Sequence, residues 1–291
     1  MNIAIAICQK DIPLITLWAK WLVAVGVSEG TEIYLTVDQK VDDNTLSRVH
    51  HILHREGGIH VHLDIYFGKD PGYPGAANRM FIFTAERAAK SGKPFLWMET
   101  DMIPTRPGWM DEVVKEYEEC GKPFMGPVLH VYDIPHMNGT AVYPADWAEQ
   151  SDIAKAPDHW PWDTYSRHSV EGKTHSSQTL KHFYGNRTFP KDKEHLGECA
   201  AFHPVKDGSL IRYLNESQGL LKDEAFEAEA LHLLWHGNQS GMHRVSPRKV
   251  NMNGVNWHTL RADTIEKQVL AFRSGTPHVI SEEEYHKLIA L

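Results

Sequence analysis

The first hundred residues alternate short β-rich runs with helix-length segments, and this alternation restricts the chain to few folds. Residues 3–8 form a β-rich run that ends in the polar turn Gln9-Lys10-Asp11. A helical segment follows, with Leu17, Trp18, Trp21 and Leu22 on one stripe, and closes at Gly26. Residues 31–37 read as a second strand ending at Asp38, 43–56 as a helix, and 60–67 as a third strand. A Pro- and Gly-rich turn then leads into a helix over about 76–90, followed by the apolar strand Phe95-Leu96-Trp97-Met98. Strands separated by helices require crossover connections, so the sheet is expected to be mainly parallel and flanked by helices.

Further along, a helix is expected near 109–119, a strand over 123–131, and a short strand ending at Pro144. Residues 145–195 are polar and lack periodicity, as functional or mobile segments do. A helix is expected over 222–236, marked by Phe226, Ala230, Leu233 and Leu234. The expected organisation is one α/β domain over 1–215 and a mainly helical C-terminal extension over 216–291.

The fourth strand ends abruptly in Glu99-Thr100-Asp101, before a prolyl turn at Pro104 and Pro107. Strand side chains alternate, so two carboxylates one residue apart point the same way. The carboxyl edge of such a sheet is where open α/β folds bind ligands. Two adjacent negative charges need a cation or donors to compensate them. Oxygen ligation suits magnesium or manganese, which bridge carboxylates to a substrate's phosphates. The plainer alternative is a helix cap or a solvated turn.

Composition narrows the function classes. The chain has 291 residues, 42% hydrophobic and 23% charged, and a formal net charge of −8. That charge argues against bulk attraction to nucleic acid. No stretch approaches the ~20 apolar residues of a membrane span. The amino-terminal residues lack a basic region and a cleavage site, so they read as a first strand. Cys8, Cys120 and Cys199 lack metal-type spacing and are expected to be reduced, buried thiols in a cytoplasmic protein. In that compartment the sequons at Asn138, Asn186, Asn215 and Asn238 carry no glycan. No Gly-x-Gly-x-x-Gly follows the first strand and no Walker loop is present, which disfavours a dehydrogenase or a phosphate-loop kinase.

Four other clusters could carry chemistry. Gly75-Ala76-Ala77-Asn78-Arg79 opens a helix: the small residues allow close backbone approach, and Arg79 can face phosphate. Asn78 has the alternative of capping that helix. In Trp160-Pro161-Trp162-Asp163 a carboxylate sits among aromatics, where partial desolvation would raise its pKa toward the range of a general base. Trp160 and Trp162 could stack on a sugar or simply pack under a loop. His203 and Lys206 could together stabilise a departing diphosphate, or be a core histidine and a solvated lysine. His258 competes with His203. Asp38 is a ligand contact or a turn residue.

The pattern Glu99-x-Asp101-x-x-Pro104-x-x-x-Gly108-Trp109 resembles the Asp-x-Asp motif of GT-A glycosyltransferases, with Glu99 in place of the first Asp. It also looks like glycosyltransferases of bacteria and their viruses, over roughly residues 1–215. The resemblance implies a GT-A, Rossmann-like fold and a nucleotide-diphosphate sugar donor. It implies manganese or magnesium held by Glu99, Asp101 and His203, with Asp101 the more direct ligand. Donor contacts would come from Asp38, Asn78, Arg79, Thr100 and Lys206. His136, Asn138, Gly139, Trp160 and Trp162 would line the sugar or acceptor pocket. Asp163 would be the base of an inverting transfer. The expected acceptor is a saccharide or another small hydroxyl compound. The alternative, drawn from viral relatives, is a 5-hydroxymethylpyrimidine in DNA. That would use Arg244, Arg248, Lys249 and Arg261 beside Trp257, and place the protein in host cytoplasm. A nucleotidyltransferase is disfavoured because Gln9-Lys10-Asp11 stands where its Gly-rich loop would be. A non-catalytic carbohydrate- or DNA-binding module is the remaining alternative.

Overall fold

The computed structural model describes residues 1–68, 70–131, 134–182, 196–204, 206 and 208–221, and the backbone of four strands beyond them. The chain divides into two compact units, Met1–Leu220 and Leu221–Leu291.

The first unit begins with Asn2–Ile7 (β1), Ile12–Val25 (α1), Glu32–Asp38 (β2), Asp43–His50 (α2), His60–Tyr66 (β3), Gly75–Ala89 (α3) and Phe95–Met98 (β4). It continues through Ile103–Pro104 (β5), Trp109–Cys120 (α4), Phe124–Gly126 (β6), Val128–Val131 (β7), Ile134–Met137 (β8) and Val142–Tyr143 (β9). Then come Trp147–Gln150 (α5), Trp162–Tyr165 (α6), Arg167–Val170 (α7), Thr174–Ser176 (β10), Leu180–His182 (β11), Ala201–His203 (β12) and Ser209–Gln218 (α8). The expected strand over 123–131 is broken at Pro127, whose ring removes a ladder donor. Its first half joins the main sheet and its second half pairs with β8 as a hairpin.

The main sheet has seven strands in the order β10-β6-β9-β4-β1-β2-β3. β4, β1, β2 and β3 run parallel, and β9 alone runs antiparallel to its neighbours β4 and β6. This is the mixed, mainly parallel α/β sheet expected from the alternation. β1 and β4 are apolar at nearly every position because helices cover both faces, as parallel sheets require. Phe81 on α3 anchors one side, its ring 3.9 Å from that of Trp162 and edge-on to Tyr143 and Trp97.

α1 is buried almost all round and stops at Gly26, whose φ of 75° lets its N–H return to Leu22 O. Its two indoles fix the segment that follows β4. Trp21 Nε1 donates to Pro104 O at 2.8 Å, and Trp18 Nε1 to Met102 O at 3.3 Å. α4 is tied down differently, through Glu116. Its carboxylate accepts from Ser177 Oγ at 2.8 Å, from the N–H groups of Gln178 and Thr179 at 2.6 and 3.0 Å, and from Thr179 Oγ1. Burial pushes this carboxyl up, but those donors outweigh it and hold the pKa below the ordinary glutamate value.

Replacing Glu116 with Gln leaves several of these donors unmatched. We expect a loss of about 1–3 kcal/mol in urea unfolding at neutral pH. Because the folded pKa is depressed, this stability is present above the unfolded value of about 4.3 and disappears as pH falls through the folded one. The gap between Glu116→Gln and parent should therefore close in acid.

In the second unit the described residues form a four-stranded antiparallel sheet: Arg248–Met252 (β13), Val255–Arg261 (β14), Val269–Arg273 (β15) and Thr276–Ile280 (β16), in that order. These strands lie within the extension expected to be mainly helical, and the boundary between the units falls after Leu220, which leaves α8 in the first unit. The strands are rich in β-branched and aromatic residues, which favour extended backbone. The helix expected over 222–236 lies outside the described residues, as does Arg244.

Candidate functional site

The carboxyl ends of β1 and β4 open onto a compact charged cluster. Asp101 sits inside the turn that Met102 N–H closes by donating to Glu99 O, and is 7% exposed. The two-residue β5 pairs antiparallel with β12, Ile103 opposite Phe202 and Pro104 opposite Ala201. Thr105 reinforces the pairing, its N–H donating to Ala200 O and its hydroxyl to Cys199 O. That register carries His203, just over a hundred residues away in sequence, to the two acids. Its Nε2 lies 3.4 Å from Asp101 Oδ1 and 3.9 Å from Glu99 Oε2.

Lys206 enters from the following turn. Its Nζ lies 2.7 Å from Asp11 Oδ1, 3.9 Å from Asp101 Oδ1 and 4.0 Å from Glu99 Oε2. Asp11 is held in place by two donors, Cys8 N–H at 2.8 Å and Thr100 Oγ1 at 3.0 Å. Three carboxylates therefore surround one ammonium and one imidazole. Burial lowers the lysine pKa, but the acids, Asp101 first, more than reverse that and raise it above its ordinary value. Burial also works to raise the Asp101 pKa, and the charges of Lys206 and His203 overcome it, holding the carboxyl well below the usual range. His203 is raised: burial lowers it, and Asp101 outweighs burial. Desolvation, joined by the charge of Asp101, raises Glu99, whose side chain is half-exposed at the cleft.

The donor set fits a divalent cation. One ligand atom from each of Glu99, Asp101 and His203 lies within 4.8 Å of the others. Asp101 Oδ1 is buried with no hydrogen-bond partner, and at 3.4 Å the imidazole attracts it by charge alone. A buried carboxylate oxygen without a donor is costly unless something positive completes it.

His203 is oriented in turn. Its Nδ1 lies 2.7 Å from His182 Nδ1 on β11 and 3.3 Å from Thr140 Oγ1. For Nε2 to offer a lone pair, Nδ1 must carry the proton and donate it to His182, whose own proton then sits on Nε2. Burial, followed by the charge of His203, keeps His182 neutral by pushing its pKa down to about 3. We expect His182→Phe to weaken manganese binding roughly 10–100-fold. His182→Asn, whose amide oxygen replaces Nδ1, should restore most of it; calorimetry checks both. In the metal-free protein the unfolded chain protonates His182 below about pH 6.5 while the folded chain resists until about 3. Stability therefore declines as pH falls through that window, and His182→Asn should flatten the decline.

Several expected ligand contacts are occupied otherwise. Asn78 is buried and donates to Pro157 O and Trp160 O while accepting from Trp162 N–H, so it braces the 157–162 loop rather than a donor. Arg79 forms a two-point pair with Asp158, at 3.1 and 2.6 Å. The small Gly75 admits that same loop: a Cβ there would lie 2.8 Å from Asp158 Cβ. Thr100 is 1% exposed and spends its hydroxyl on Asp11. Trp162 is a core residue stacked on Phe81, not a surface platform. Trp160 is 40% exposed, with the Arg167 guanidinium 5.7 Å from its ring centroid.

The 138–140 loop links the remaining expected residues. Asn138 Oδ1 accepts from Thr140 N–H and Oγ1, and Thr140 meets His203. A Cβ on Gly139 would sit 2.9 Å from the Trp162 ring and 3.8 Å from Asp163 Oδ2, so only glycine fits there. Asp163 thus faces Gly139, the neighbour of the Thr140 that meets His203. Burial raises its pKa, against a hydrogen bond from Thr164 N–H. His136 is buried and lines a separate cleft of about 290 Å3 with Arg167, His168 and Glu171. Asp38 ends β2 at the same sheet edge and accepts from Lys40 N–H. His258 lies on β14, in the second unit. Cys8 and Cys120 are half-buried and Cys199 is buried, all as free thiols. Among the described residues no helix is long and apolar enough to cross a membrane. Sequence reasoning passes over Asp11 and His182: one reads as a turn residue, the other as one of nineteen histidines.

No family model and no curated protein matches the chain. Solved structures similar to it include the glycosyltransferase GlyE of Streptococcus pneumoniae TIGR4, 12% identical over 86% of this chain and 66% of that one, with a TM-score of 0.48. Another is the galactosyltransferase LgtC in complex with donor and acceptor sugar analogs, 13% identical over 79% and 100%, with a TM-score of 0.46. A third is S. aureus TarS 1–349 in complex with UDP, 10% identical over 82% and 70%, with a TM-score of 0.44. At such distance these likenesses transfer no residue role, and nothing in them bears on a viral origin or on DNA as acceptor.

Proposed function

We propose that this chain is a metal-dependent glycosyltransferase that moves a sugar from a nucleotide-diphosphate donor to a hydroxyl acceptor. The observation that carries this is the buried Asp101 oxygen that no hydrogen bond satisfies, grouped with Glu99 and His203 and with Lys206 beside them. Glu99, Asp101 and His203 would hold manganese or magnesium, which would supply positive charge to the departing diphosphate. Lys206 adds a fixed ammonium to the same leaving group, already oriented by Asp11 and needing no rearrangement as charge develops. Asp38, at the same edge, is the candidate contact for the ribose or base. Trp160, the exposed aromatic of the 157–165 region, offers a face for a sugar. A net charge of −8 favours a saccharide or small acceptor over DNA.

Asp163 is assigned as the base that takes the acceptor proton, which makes the transfer inverting. Its raised pKa suits that task. Replacing Asp163 with Asn should lower kcat about 10²–10⁴-fold while leaving donor affinity near the parent value. Unchanged kcat would remove Asp163 from the mechanism and the preference for inversion with it. The function itself is tested by incubating the protein with a panel of nucleotide-diphosphate sugars and following nucleoside diphosphate release. Release from at least one donor with manganese, abolished by chelation, is the expected result. No release from any donor, with or without saccharide acceptors, would overturn the proposal.

A further inference from the structure

A second set of metal-ligating side chains lies on the same sheet, away from the Asp101 cluster. β2 and β3 are parallel and in register, with Glu32 opposite His60 and Tyr34 opposite His62. Because side chains alternate along a strand, these four residues share one face. His62 Nε2 lies 3.0 Å from Glu32 Oε2, and His60 Nδ1 lies 4.0 Å from Glu32 Oε1. The two imidazole centroids are 4.4 Å apart. One ligand atom from each of the three residues lies within 4.8 Å of the others.

Two features show that this face is prearranged. The Tyr34 hydroxyl donates to Glu32 Oε2 at 2.9 Å and so fixes the carboxylate. The Tyr34 ring stacks on His62 at 4.4 Å and 11°, which fixes the imidazole plane. Such supporting contacts are what orient true metal ligands. Only His60, 63% exposed at its side chain, needs to swing by roughly an ångström to reach tetrahedral ligand spacing.

We infer that Glu32, His60 and His62 form a binding site for a late transition metal ion of the zinc class. Two imidazoles and one carboxylate select zinc, cobalt, nickel or copper over magnesium and manganese, and water completes the fourth position. The site lies at the amino ends of β2 and β3, about 20 Å along the strand from the edge that carries Asp38. The ion would clamp edge strand β3 onto β2, so it acts on stability rather than on transfer.

The test titrates cobalt into the metal-stripped, full-length protein carrying Asp101→Asn, which silences the other cluster. One equivalent should produce the intense visible bands of four-coordinate cobalt, displaced by zinc, together with a rise in Tm. Glu32→Gln and His62→Phe, which preserve shape and stacking, should each abolish the bands and weaken zinc binding by about ten-fold or more. His60→Ala should do the same. Matching metal-free Tm values for variants and parent would show that folding is intact. Absence of the bands in the parent, or their persistence in the His60 and His62 variants, would overturn the site and leave a hydrogen-bonded array only.

Discussion

Asp101→Asn is expected to abolish metal-dependent binding of nucleoside diphosphates and to cut sugar transfer by about 10³-fold or more. The substitution keeps the shape of the side chain and removes only charge and one lone-pair set. Charge balance explains why the effect should be confined to function. In the metal-free protein Asp11, Glu99 and Asp101 face Lys206 and a His203 whose raised pKa favours its protonated form. Removing one negative charge from that set brings it to balance, so the metal-free fold should hold. With a divalent ion bound, the three acids balance the ion and Lys206 while His203 is neutral. The Asn variant cannot reach that state. Metal binding to the parent should therefore release a proton from His203. The variant should retain a Tm close to that of the parent in chelator, and gain nothing from manganese.

Lys206→Met should have the second largest effect. Three carboxylates would then converge with no fixed cation among them. Metal-free stability should fall by about 1–3 kcal/mol, a figure reduced for solvent screening because the lysine side chain is 37% exposed. kcat should fall about 10²–10³-fold, the cost of removing one preorganised donor from a developing negative charge. Manganese should recover much of the stability but not the rate, because it replaces the missing charge near Asp101 and not the ammonium on the leaving group. Equal recovery of both would mean that Lys206 serves the fold alone. Urea unfolding and steady-state kinetics, each with and without manganese, separate these outcomes.

The parallel half of the sheet was legible because its signals are local. Each run from β1 to β4 carries its own period and its own turn residues, and the pair Glu99 and Asp101 stands out as two acids just past an apolar strand, although a turn after Met98 rather than strand alternation brings them together. His203 and Lys206 reach that pair through the two-residue β5, whose partner lies nearly a hundred residues on. No sequence period reveals such a contact. Asp11 was hidden for the same reason, since its hydrogen bond to Thr100 spans 89 residues. Asn78 and Trp162 show the opposite failure. An aromatic beside polar residues reads alike whether it stacks on a sugar or on Phe81, and only burial distinguishes the two. The β-rich run over 255–261 carries a local signal of its own and pairs on both sides, with β13 and β15.

On the proposed function, Glu99, Asp101 and His203 form a cation site that a nucleotide's phosphates complete. The measurement that tests it most directly is a thermal-shift panel of nucleoside diphosphates against the parent and Asp101→Asn, each in manganese and in chelator. At least one nucleoside diphosphate should raise the parent's Tm only when manganese is present, and that of Asp101→Asn in neither condition. Equal shifts in parent and variant, or a parent shift of the same size in chelator, would contradict it.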